Sequence, residues 1–204
     1  MNQEKDIIRF LKDNIQPLNN SIYGVSYRAA VHLTDGTYLP CVLFRNPRNK
    51  VNLAIKRFKE EQQGKGIFGI SKGNGYYNIV KNFVTNGNSI NYYDIEKVEK
   101  SPFAFPSEIL SKIQGETTMG WTGFSVKMKD GKYFSFGTRL FFKFFQIPDN
   151  YSIEDIAEII NHSYVSENGE LKFLREDFTS YPDDYKISNV YREKIFFECF
   201  IDSL

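Results

Sequence analysis

Apolar residues first recur at helical spacing. Ile7, Ile8, Leu11 and Ile15 share one face, with Glu4, Lys5, Lys12 and Asp13 on the other. This predicts a helix over 3–15, ended by Pro17. The pattern then suits strands, with 23–34 and 37–44 flanking Asp35-Gly36 as a hairpin. Pro40 removes a ladder donor from the return strand, which is therefore an edge or is bulged there. A helical period returns over 50–62, with Val51, Leu53, Ile55 and Phe58 as the apolar members. Residues 76–84 and 89–98 read as strands around Asn86-Gly87, and Ser107 heads a short helix to Ile113. Phe124, Val126 and Met128 then alternate with Ser125, Lys127 and Lys129 up to Asp130-Gly131. A two-residue type I′ turn there would set Met128 opposite Tyr133 and place Phe134 and Phe136 on the other face. Ser152, with Glu154 and Asp155 behind it, predicts a helix over 153–162 whose negative end meets His162. The apolar stretch Val190 to Leu204 reads as a strand or a final helix.

Together these elements predict an α+β fold, an antiparallel sheet built from several hairpins flanked by helices. VHLTDGTYL at 31–39 aligns with VKMKDGKYF at 126–134, each with Val, a bulky apolar residue, Asp-Gly and Tyr at the same offsets. Within a single globular unit of 204 residues, this suggests two α-β-β-α-like halves, 1–100 and 101–204. The competing explanation is that any Asp-Gly hairpin converges on such a pattern.

Composition changes this picture little. Nineteen Phe and thirteen Tyr give an aromatic-rich chain, enough for a well-packed core or a recognition surface. The net charge of +1 implies no global attraction to nucleic acid or membrane. It hides two opposed regions. Residues 45–81 hold nine basic against two acidic residues, a net of +7, and residues 149–204 hold thirteen acidic against five basic, a net of −8. Cys41 and Cys199 lie far apart, with no disulfide or metal spacing, which suits a reducing compartment. The N-terminus carries charges throughout and has no apolar signal core, so a cytoplasmic location is expected. No metal or cofactor is expected, because only two histidines occur and no cysteine cluster accompanies them.

The catalytic candidates are weak. Gly69-Ile70-Ser71-Lys72-Gly73 matches the nucleophile-elbow spacing, but surrounding glycines replace the strand and helix that an elbow needs. Across the first hairpin His32 would oppose Leu39, with Cys41 diagonal to it as a thiolate–imidazole pair. For Ser71 the only downstream histidine is His162, and for the Cys41–His32 pair no orienting carboxylate or oxyanion element is evident. The binding candidates are Arg45, Arg48, Lys56 and Arg57, then Lys65 and Lys72 in the glycine-rich loop 64–75, then Tyr76 and Tyr77 as stacking faces. Trp121 stands between Gly120 and Gly123 as a core plug or an interface anchor. The reading that results is a non-enzymatic binding protein that neutralises or adapts a protein partner. A nucleic-acid module using 45–81 is the second reading, and a hydrolase using Ser71 or Cys41 is the third.

Overall fold

Two separate hydrophobic cores divide the chain. Met1–Glu99 joins Phe196–Leu204 in one unit, and Lys100–Ile195 forms the other. The computed structural model describes residues 3–20, 24–62, 88–118, 120–139, 143–174 and 181–204. Among these the fold is mixed α and β and mostly sheet, with twelve strands and three α-helices.

In the first unit, α1 (Gln3–Asn14) buries Ile7 and Leu11, as the helical spacing predicts. The Gln3 side chain ties its start to the carbonyl of Ile95. Strands β1 (Pro17–Asn20), β2 (Gly24–Leu33) and β3 (Tyr38–Arg45) come next, then α2 (Arg48–Gln62), β4 (Ser89–Ile90) and β5 (Ile95–Lys100). The sheet order is β1-β2-β3-β12-β4, where β12 is Phe197–Phe200, and β5 also pairs with β2. β12 runs parallel to both of its neighbours, so the sheet is mixed rather than purely antiparallel. Ala29, Val31, Val42, Phe44, Ile95, Cys199 and Ile201 meet α1 in the core.

β3 is bulged at Pro40 and lies inside the sheet. Ala29 pairs with Val42 and Val31 with Leu39, so Pro40 and Cys41 together face the single Ala30. On α2 the predicted apolar members divide, with Leu53 half-buried and the side chain of Phe58 outside the described residues. Val51 and Ile55 are exposed, and Lys50 and Ala54 are buried. Lys50 turns in because its ammonium lies 3.1 Å from the buried Glu198 carboxylate, which Arg45 also contacts. Removing one partner from a buried ion pair leaves an uncompensated charge.

The second unit contains α3 (Ser107–Leu110), β6 (Thr122–Met128), β7 (Tyr133–Thr138), β8 (Ile156–Asn161), β9 (Ser163–Val165), β10 (Leu171–Phe173) and β11 (Val190–Arg192). Pro106, not Ser107, is the N-cap of α3. The main sheet has the order β11-β7-β6-β8, with β11 parallel to β7, and β9 pairs with β10 separately. One face of this sheet is a phenylalanine core, in which Phe124, Phe136 and Phe145 join Phe105. On the other face Trp121 covers the paired Gly123 and Gly137.

Both hairpins correct the predicted turn. Gly36 donates to Leu33 at 2.9 Å and Leu33 to Thr37 at 2.8 Å, and Gly131 and Met128 repeat these bonds with Met128 and Lys132. Only the glycines have positive φ, +86° and +91°. This is a type I turn closed by a left-handed glycine, one residue longer than a type I′ turn. The register therefore shifts. Lys127 opposes Tyr133 and Val126 opposes Phe134, which puts Phe134 and Phe136 on the side of Val126.

The predicted helix over 153–162 is a single 3₁₀ turn, Ile153–Asp155, followed by β8. The capping box at Ser152 and Asp155 is present, so the start signal was correct. The β-branched Ile156, Ile159 and Ile160 then take the strand alternative. His162 is not at a helix end. It has φ 51° between β8 and β9, and its Nδ1 lies 3.2 Å from Thr117 Oγ1.

This packing sets two expected outcomes. A Cβ at Gly137 would sit 2.1 Å from Trp121, so Gly137→Ala is expected to lower the urea-unfolding free energy by about 1–3 kcal/mol. Combining it with Trp121→Leu should cost less than the two changes added. Glu198→Gln removes the carboxylate shared by Arg45 and Lys50. It should cost about 3–5 kcal/mol and speed amide exchange in β3 and β12.

Candidate functional site

The second unit holds a cavity of about 420 Å³, in the range of about 300–1,000 Å³ usual for ligand sites. Its wall comes from the start of β7, the end of β9 and the approach to β11. Tyr133, Phe134 and Ser135 contribute from β7, Val165 and Ser166 from β9 and its turn, and Ser188, Asn189, Val190 and Tyr191 from β11 and the 3₁₀ turn before it; Gln146 completes it. The strand alternation of β7 places Ser135 and Phe134 on opposite faces, so the cavity samples both layers at the sheet edge.

Its walls are fixed by specific contacts. Val165 N–H donates to Ser135 Oγ at 2.7 Å, which anchors β9 over β7. The Tyr191 ring stacks on Phe136 and meets Phe134 edge-on, with centroids 5.4 and 5.7 Å apart. Burial, with the nearby Asp149 charge, raises the Tyr191 phenol above its ordinary value, so the group donates rather than ionises.

A polar tie holds the segment that carries Ser188 and Asn189 against β9 and β10. Tyr164 donates its hydroxyl to Asp184 at 2.8 Å, and the Lys172 ammonium lies 2.6 Å from the same carboxylate. Lys172 and then Tyr164 hold Asp184 below the usual carboxylate range. Burial, then Asp184, pushes Tyr164 up to about 12. Tyr181 stacks on Tyr185 at 4.4 Å, and the Arg192 guanidinium lies 4.7 Å above the Trp121 ring. Trp121 Nε1 and Tyr185 Oη are both buried without a hydrogen-bond partner among the described residues.

Among the described residues, none of the sequence-predicted site residues lines this cavity; Trp121 is buried, with the Arg192 guanidinium over its ring. Arg45 is buried with Glu198, whereas Arg48 and Lys56 are exposed on α2. Ser71, Lys65, Lys72, Tyr76 and Tyr77, and the side chain of Arg57, lie outside the described residues. The expected Cys41–His32 geometry is corrected by the turn and the bulge. His32 opposes Tyr38, with the two rings tilted and 4.8 Å apart, its Nε2 faces Glu99 at 3.5 Å, and Cys41 is buried. Burial pushes the Cys199 thiol up to about 12, so it is no thiolate nucleophile.

Ser135, Gln146, Ser188 and Asn189 were missed. Their only sequence signal is a polar residue inside or beside an aromatic strand, as Ser135 between Phe134 and Phe136. Among the described residues no group of three or more His, Cys, Asp or Glu is placed to hold a metal ion, and no helix is long and apolar enough to cross a membrane. No family model, curated protein or solved structure matches the chain.

The Asp184 tie sets an acid limit on the cavity wall. A depressed carboxylate stabilises above its unfolded value of about 3.9 and loses that contribution as pH falls through its lower folded value. The amide resonances of 184–191 are expected to broaden or shift below about pH 4. Asp184→Asn should remove that step at the carboxylate while leaving the phenylalanine core unchanged by circular dichroism.

Proposed function

We propose that the protein works by binding a polypeptide partner, and that the cavity beside β11 receives a segment of that partner. The observation that supports this reading is the lining: two phenols, a phenylalanine, two valines, three hydroxyls and two carboxamides. Aromatic and aliphatic walls supply contact area, and a few neutral hydrogen-bonding groups supply orientation. This is the chemistry of recognition. Neutralising or adapting that partner is the role such binding would serve. Ile187, 54% exposed at the start of the 3₁₀ turn, adds apolar surface beside the cavity.

The test places a photo-crosslinking benzoylphenylalanine at position 187 in the native cell. The expected product is a discrete protein adduct, destroyed by protease and lost when Asn189→Trp fills the cavity. An adduct that nuclease removes, or one that persists in the filled variant, would overturn the reading.

A further inference from the structure

We propose that the cavity reads a peptide backbone: an extended segment adds to β11 as an antiparallel strand. This rests on the polypeptide reading above and specifies how the segment is held.

β11 is an edge strand, hydrogen-bonded to β7 on one side. Alternate residues of such a strand direct their backbone groups to opposite edges. Arg192 faces the outer edge. Its carbonyl accepts the Gln146 N–H at 2.9 Å, and its own N–H donates to Gln146 Oε1 at 3.2 Å. Beyond it, Lys194 N–H donates to Phe144 at 2.8 Å, and Phe145 bridges Glu193 in the antiparallel sense. Residues 144–146 thus cover one end of this edge as a short antiparallel strand. The cover stops there, because Ile147 turns into the phenylalanine core and Pro148 has no N–H to offer.

The Gln146 side chain stands where the next peptide group of that strand would stand. Its Oε1 faces Arg192, which leaves the Nε2 donor of this cavity-lining residue without a partner among the described residues. Val190 has the same parity as Arg192, so its carbonyl points to the same outer edge. Its N–H is taken by the Ile187 carbonyl of the 3₁₀ turn. The cavity therefore presents one donor, Gln146 Nε2, and one acceptor, Val190 O. Together they complement the C=O and N–H of one peptide unit. Asn189 and Ser188 extend the polar edge, and Tyr133 and Tyr191 flank it. Side chains of an added strand alternate in direction, and the residue entering the cavity would be uncharged, matching a lining without acid or base.

A phage-displayed library of random short peptides, panned on the full chain, tests this. Recovered peptides should shift the amide resonances of Asn189, Val190 and Tyr191. N-methylation of alternate backbone amides should weaken them about tenfold or more, as loss of a ladder bond at a desolvated edge requires. Gln146→Glu keeps the acceptor for Arg192 and loses the donor, and it should weaken them comparably without changing the melting temperature. Peptides that bind the cavity equally well when N-methylated would overturn strand addition and leave the polypeptide reading standing. Recovery of no peptide that Asn189→Trp displaces would overturn both.

Discussion

The first unit depends on where one carboxylate is buried. Glu198 lies in β12, the strand between β3 and β4, and holds both Arg45 and Lys50. The Phe200 ring lies beneath the same two cations, with centroids 5.5 and 5.2 Å away. The neighbouring residue, Cys199, is in the aliphatic core on the opposite face. A one-residue slip of β12 would carry Glu198 into that core and its partners into no contact. The ion pairs therefore fix the register of the strand more than they add to its affinity. The same demand draws Lys50 inward and leaves Val51 and Ile55 of α2 in solvent.

The two units solve a common problem with the same local chemistry. Each hairpin turns on Asp-Gly, with the aspartate accepting from the residue two further on, Thr37 or Lys132. Beside each turn the residue before the aspartate, Thr34 or Lys129, donates to Asp94 or Asp155. Those aspartates close matching 3₁₀ turns, capped by Asn91 and Ser152, and an isoleucine opens the next strand in both. In both units that strand pairs with the first hairpin strand, and a late short strand runs parallel to the second. The similarity visible over 31–39 and 126–134 thus extends to hydrogen bonds made by residues far from either hairpin.

Whatever a short window determines could be read in advance. The face of α1, the two Asp-Gly hairpins, the disturbance at Pro40 and the Ser152–Asp155 cap were legible, because their causes lie within a few residues; the hairpin expected around Asn86-Gly87 lies outside the described residues. The register of each hairpin was not, because Asp-Gly fits turns of two lengths and one residue of difference reverses every face. Ile156 to Asn161 was misread because helices and 3₁₀ turns share a start signal, and that signal leaves the conformation of the later residues open. The cavity was illegible for a different reason. Ser135, Gln146 and Asn189 are ordinary polar residues until a parallel strand sets them side by side, and strand order has no local signature. Arg45 and Lys50 misled in the opposite way, as cations in a basic stretch. The carboxylate they share is 148 residues along the chain from Lys50 and 3.1 Å from it in space.

The parallel strand between β3 and β4 also has a consequence for the order of synthesis. Ribosomes deliver residues in sequence, so all of 100–195 is made before Phe197–Phe200 exists. At typical elongation rates the interval between β4 and β12 is on the order of 5–20 s. Throughout it the first sheet has a gap between β3 and β4, with backbone donors and acceptors bare on both sides. The second unit, being contiguous, has every strand it needs by the time that gap is filled. The part of the protein that begins first is thus the part that finishes last, and until it does, its sheet is open to any strand that fits.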